Sequence, residues 1–238
     1  MGAVYRSSRG KKARSRVVVQ GGGRELRVDG TFASFYKPGQ VTTGSVWDAL
    51  GASVLALPSA RRIRVLVLGL GGGSVARLVR ALAPRAQIVG VEIDPEVVAL
   101  ARRWFDLDDL RVDLVVDDAR RFLARERRRF DAVIEDVFVG RGRAVHKPTW
   151  MIEEGLPQAA ERVAEGGILT SNTLDETSEV AAVLRARFPG LVEIGVSDYD
   201  NRVLVAGSGS LSGRALRDAV VATPELAGSV RALRFRKR

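Results

Sequence analysis

The 238-residue sequence contains no cysteine and a single histidine, His146. Disulfides, thiol nucleophiles and cysteine-bound zinc are excluded, and one imidazole cannot build a histidine metal cluster, so no metal site is expected. No apolar run approaches the ~18–20 residues that a membrane span requires. The first residues are polar and basic, without the apolar stretch of a secretory signal. A cytoplasmic protein with no membrane partner is the expectation that remains. Acidic residues are outnumbered, 28 against 38 Lys and Arg, for a net charge of +10. Much of that excess falls in two tails, Arg6 to Arg16 and Arg231 to Arg238, which read as solvated and mobile. A general preference for Arg, Ala, Gly and Val accounts for the rest, so nucleic acid is not the expected partner.

What is present is ample apolar material, 46% of residues, enough for one domain of ordinary size and a small appendage. The chain is organised around Val65-Leu66-Val67-Leu68-Gly69-Leu70-Gly71-Gly72-Gly73-Ser74. Four apolar residues read as a buried parallel strand, glycines crowd the turn, and Val75 to Ala83 reads as a helix. A helix start of this kind offers backbone N–H groups, and bare main chain at Gly69, Gly71 and Gly73 lets a ligand lie close. Such turns also serve plain strand–helix packing, so context decides. The next strand ends Val91-Glu92-Ile93-Asp94-Pro95. Glu92 falls about 20 residues after the turn, where an acid meets a ribose diol. Asp94 suits the helix cap, with Pro95 at the first helical position.

Residues 1–16 are expected as a disordered basic tail. Residues 17–58 read as a β-hairpin with a further strand at Thr31–Tyr36, followed by a linking helix over Thr43–Leu57. From residue 59 to 238 strands alternate with helices. The strands are 64–68, 87–93, 112–116, 132–136, 167–171, 191–196 and 202–206; Trp150–Ala164 is among the helices. The expected fold is α/β, a Rossmann-like, mostly parallel seven-stranded sheet. Only five residues separate the last two strands, too few for a crossover helix, so they form a C-terminal antiparallel hairpin. Tyr199 and Asp200 read as turn chemistry there.

Other acids sit at strand ends. Of Asp117 and Asp118, one can accept a hydrogen bond from an adenine amine while the other caps the following helix, and Asp118 is assigned to adenine. Glu135 and Asp136 end the fourth strand. Successive side chains face opposite ways, so one acid points into the crevice, and Asp136 is preferred as the group that orients or deprotonates an attacking amine. Glu135 fits a salt bridge. His146 lies in a loop over the pocket and reads as surface. Trp47, Trp104 and Trp150 read as core.

Five stretches together resemble the spermidine synthase (polyamine aminopropyltransferase) family, which has the class I S-adenosylmethionine-dependent methyltransferase fold. They are Leu26–Gly30, Val65–Ser74, Val91–Pro95, Val116–Ala119 and Phe130–Asp136. The resemblance implies a dimeric transferase that binds S-adenosylmethionine or its decarboxylated form. It places Glu92 on ribose, Asp118 on adenine and the catalytic acid at Asp136, with Gly69, Gly71 and Gly73 in the cofactor loop. Departures are Gly72 where synthases carry an Asp in the loop, Val139 at the second acid of their Asp-x-x-Asp, Ala33 for an amine-binding Gln, and Val46-Trp47-Asp48 for Tyr-His-Glu. They favour methyl transfer to a small amine over aminopropyl transfer. A non-catalytic adenosyl-binding protein is the further alternative.

Overall fold

The computed structural model describes residues 3–6 and 15–238. The four-stranded N-terminal sheet runs in the order β1 (Ala3–Arg6), β2 (Ser15–Gln20), β3 (Gly23–Val28), β4 (Thr31–Tyr36), every neighbour antiparallel. Much of the expected tail, residues 1–16, lies outside the described residues. Its described parts are strand rather than disorder, since Ala3 to Arg6 pair with Val19 to Arg16. Asp29 and Gly30 make the β3–β4 turn with φ of +49° and +84°, the left-handed pair that a tight hairpin demands.

The linking helix α1 is shorter than its apolar spacing suggests, Val46–Ala52, with a tighter turn at Ser53–Ala56. Its N-terminus is set by Asp48, buried at 1% exposure. The carboxylate accepts from the Thr43 and Gly44 N–H groups and from the Thr43 and Ser229 hydroxyls. Asp48 thereby holds the amides of residues 43 and 44 just ahead of the helix, which starts at Val46.

The main sheet has eight strands, ordered β12-β10-β11-β9-β8-β5-β6-β7. These are β5 (Arg64–Leu68), β6 (Gln87–Glu92), β7 (Val112–Val116), β8 (Phe130–Glu135), β9 (Val163–Thr173), β10 (Gly190–Val196), β11 (Arg202–Gly207) and β12 (Leu233–Lys237). The five from β9 to β7 are parallel, and β10–β11 is the expected antiparallel hairpin. Two elements differ from expectation. The C-terminal segment, read as a mobile basic tail, pairs with β10 as an eighth strand. Leu233 is buried while Arg234 and Arg236 alternate outward, so the charge that suggested a tail protects a sheet edge. Strand β9 starts at Val163 rather than residue 167, bulging at Gly166, where φ is +68°. The preceding helix is correspondingly reduced to a wide turn at Met151–Gly155 and α5 (Leu156–Glu161).

Val65 and Val67 face one core with α1 and α2 (Ser74–Leu82), while Leu66 and Leu68 face the other with α4 (Ala119–Arg125) and α6 (Thr177–Arg185). All four are fully buried, each worth roughly 1.5–3 kcal/mol. A third cluster joins Val17 and Leu26 to Val97 and Leu100 of α3 (Pro95–Trp104), fixing the N-terminal sheet over the main one. Strand β5 pairs with β6 on one side and β8 on the other. The chain order reverses there, and the crevice opens beyond the carboxyl ends of those strands.

Candidate active site

The glycine turn leaves β5 at that reversal. Gly69, with φ +81°, could carry no side chain: a β-carbon would lie 2.5 Å from the carbonyl oxygen of Asp136, just past β8. Gly71 and Gly73 also have positive φ and face Ser34 and Leu107. At Gly72 a β-carbon would meet Ser34 Cβ at 2.8 Å and the Phe105 ring at 2.9 Å. The turn's N–H groups have partners in the protein. Gly69 and Leu70 donate to the Val91 carbonyl, Gly71 to Glu92, Gly72 to Ser34 Oγ and Gly73 to the Leu70 carbonyl. Ser74 Oγ donates to the Phe35 carbonyl and accepts its N–H. The glycines therefore bring main chain close to neighbouring segments, and strand β4 braces the turn from above.

Glu92 is buried at 8% exposure. One carboxylate oxygen accepts the Gly71 N–H at 2.8 Å and the other the Asp94 N–H at 3.0 Å. Burial pushes its pKa up, against the pull of those two N–H groups. Each oxygen retains a lone pair for a hydroxyl donor. Asp94 caps α3 through the Glu96 N–H, as its position before Pro95 suggests. Beside Glu92, Ile93 and Val116 leave 63% and 50% of their surfaces exposed. Apolar side chains at two adjacent strand ends suit a flat ring. Asp118, half-buried, caps α4 with one oxygen on the Arg120 N–H. Asp117 is ion-paired to Arg121 and Arg125. The cap thus falls on Asp118 itself, which keeps its second oxygen for another donor.

Asp136 follows β8 at the mouth of the crevice. Its two oxygens accept from different elements, one from Asn172 Nδ2 at 2.7 Å and one from Trp47 Nε1 at 3.1 Å. Asn172 Oδ1 in turn accepts from Asn201 Nδ2 at 3.0 Å. The turn between β10 and β11 therefore reaches the site's polar network through Asn201. Burial raises the Asp136 pKa from 3.8 to about 6; the Glu135 charge adds to the rise, while Asn172, Lys147 and Trp47 oppose it. Glu135 points the other way and is fully buried. It is held by Lys147 Nζ at 2.7 Å from both oxygens, by Ser171 Oγ and by the Val137 N–H. His146 is exposed, its Nδ1 3.0 Å from the Ala144 carbonyl oxygen. Among the described residues no group of three His, Cys, Asp or Glu could hold a metal ion.

Residues 65–167 match the family model described as a methyltransferase domain. The chain is 32% identical over 151 residues to an eEF1A lysine and N-terminal methyltransferase homolog of Drosophila pseudoobscura pseudoobscura, covering 59% of this chain and 22% of that protein. It is 35% identical over 127 residues to polyamine aminopropyltransferase 1 of Pseudomonas aeruginosa, covering 50% of this chain and 42% of the relative. A probable spermidine synthase from Corynebacterium glutamicum superimposes with a TM-score of 0.74 at 21% identity, over 100% of this chain and 91% of that one. The chain shares the α/β fold of that structure, with the methyltransferase-domain match running from β5 into β9. It spans less than half the length of either curated relative.

Within this fold the structure gathers Gly69, Gly71, Glu92 and Asp136 around the reversal of strand order, and sets Asp118 at the end of the outermost parallel strand. Trp47, Asn172, Asn201, Lys147 and Ser34 are the partners that sequence reasoning missed or assigned elsewhere. The sequence reads Trp47 as core. It is buried and packs edge-on to Phe32 at 4.9 Å, yet its N–H meets Asp136. The substitution of Val46-Trp47-Asp48 into the helix before the main domain was the available signal.

Proposed function

We propose that this spermidine synthase-like chain is an S-adenosylmethionine-dependent transferase that acts on a small amine or similar nucleophile, with methyl transfer as its reaction. The observation that carries the reading is the pairing of Glu92 with Asp136 across one glycine turn: a buried acid beside exposed Ile93, and a second acid two strands away with its pKa near 6. Glu92 would hold the ribose hydroxyls, Ile93 and Val116 the faces of the adenine, and the free oxygen of Asp118 its amine. Gly69, Gly71 and Gly73 shape the turn at the edge of the ligand, their missing side chains making room for Asp136, Ser34 and Leu107. The adenosyl sulfonium supplies an electrophilic carbon and a thioether leaving group, so the protein's task is placement. Asp136 would hold the acceptor: above about pH 6 its carboxylate attracts an ammonium, accepts one of its protons to free the nitrogen lone pair, and aims that nitrogen at the carbon under attack. Trp47 and Asn172 keep both carboxylate oxygens oriented.

Aminopropyl transfer is the second reading, supported by the full-length superposition on a probable spermidine synthase. Methyl transfer is favoured by position 72. An acid there, which would repel the carboxylate of intact S-adenosylmethionine, is absent, and Ser34 and Phe105 fill the space. Val139, 43% exposed, supplies no second charge for a polyamine. A small-molecule substrate, a homodimer and a cytoplasmic setting complete the proposal. No helix among the described residues is long and apolar enough to cross a membrane. The test is calorimetric titration with S-adenosylmethionine and with its decarboxylated form, followed by mass spectrometry of a panel of amines. Tighter binding of the intact form and a gain of one methyl support the proposal. Preference for the decarboxylated form and aminopropyl addition would establish the second reading. Binding without any product would leave an adenosyl-binding protein.

A further inference from the structure

Outside the groups already assigned, the deepest charges in the described residues are Glu135 and Lys147, both fully buried and joined at 2.7 Å. Lys147 does three further things. Its ammonium lies 4.6 Å from the centroid of the Phe138 ring, and its backbone N–H donates to Glu176 Oε1 at 2.8 Å. It also closes the loop after β8, whose ends are joined by reciprocal Val139–His146 backbone bonds. The loop from Val137 to Lys147 is thus pinned at both ends to one carboxylate, Glu135, through the Val137 N–H and Lys147 Nζ. Asp136 lies between Glu135 and Val137 in the chain.

We propose that Lys147 is a positioning residue for Asp136: it seats the loop on the end of β8 and neutralises Glu135, so that Asp136 carries the charge presented to the acceptor. This rests on the reading of Asp136 as the acceptor-facing acid. The groups around Asp136 are Trp47 from α1, Glu135 from β8, Lys147 from the loop and Asn172 from β9, with Glu176 behind Lys147 at the start of α6. Two are neutral donors, so the balance of charge on Asp136 is set chiefly by Glu135 and Lys147. Glu135 raises its pKa and Lys147 lowers it.

The test uses the Trp47 indole N–H, which donates to Asp136 and reports its ionisation as a nitrogen–proton resonance, assigned with Trp47→Phe. The full chain is titrated with no ligand present. Lys147→Met is expected to move the Asp136 titration up by about half a pH unit or more, and Glu135→Gln to move it down. In the double variant, with both charges gone, it returns to within a few tenths of a unit of wild type. Should Lys147→Met fail to fold, the double variant against Glu135→Gln alone isolates the same charge, and the titration must be lower when Lys147 is present. Equal titrations in that pair, or shifts of the same sign in the two single variants, overturn the proposal. Titration of S-adenosylmethionine into wild type is read separately. Its failure removes the functional reading and leaves the Lys147–Asp136 coupling standing.

Discussion

The indole N–H of Trp47 lies 3.1 Å from a carboxylate oxygen of Asp136, linking a helix before the main domain to the end of a central strand. The bond favours the ionised acid and opposes the effect of burial. Trp47→Phe keeps the packing against Phe32 and removes the donor. Its pH–rate profile should show the acid limb displaced upward by up to about one unit, with the folded state retained by circular dichroism.

Asp136→Asn separates function from stability. The pKa of Asp136 rises from 3.8 to about 6 on folding, so the folded state binds the proton more tightly than the unfolded chain. The associated stability is present below pH 3.8 and lost as pH rises through about 6. An uncharged Asn escapes that loss, although its amide nitrogen faces a donor. Transfer should fall by about 10²–10⁴-fold. Denaturant unfolding should find the variant more stable than wild type at pH 8, by about 1–2 kcal/mol, and less stable by about the same amount below pH 4, where only the cost of the misplaced amide remains.

Glu92→Gln loses a backbone partner, and its cost shows most clearly at low pH, where the wild-type acid is protonated in both the folded and the unfolded chain. Both carboxylate oxygens accept backbone N–H groups, and an amide can accept from only one. The orphaned donor costs about 1–3 kcal/mol. Thermal melting should show this loss without ligand, and calorimetry should show adenosyl binding weakened by at least about tenfold, the value of one 1.4 kcal/mol interaction.

Gly72→Asp, the change that would restore the synthase residue, should not restore synthase behaviour. The new β-carbon runs into Ser34 and Phe105, and overpacking of this kind costs about 1–3 kcal/mol. Lower stability with no new preference for decarboxylated S-adenosylmethionine is expected. Combining it with Ser34→Gly should recover part of the stability.

Much of this arrangement was legible in the sequence because it is local. Strand β5, its glycine turn and the acid ending β6 form one continuous pattern, and the short connection between β10 and β11 could only be a hairpin. Asp94 was recognisable as a cap from Pro95 alone. The contacts that complete the site are of another kind. Trp47, Asp136, Asn172 and Asn201 come from four segments, and only the folded sheet brings their polar atoms together. Lys147 sits in a polar loop with no periodicity, 12 residues from Glu135. Strand β12 was concealed because Leu233 and Phe235 alternate with arginines, a pattern in which charge outweighs a short apolar period. Reading Asp118 on adenine leaves the cap to Asp117, whereas the geometry of α4 gives the cap to Asp118.

The most direct measurement is calorimetric titration of the full chain with S-adenosylmethionine, run beside Glu92→Gln. Saturable heat at one site per chain in wild type, greatly weakened in the variant, is the expected result. A folded wild type that gives no heat with S-adenosylmethionine or its decarboxylated form, or a variant that binds as tightly as wild type, would contradict the assignment of this crevice to an adenosyl ligand.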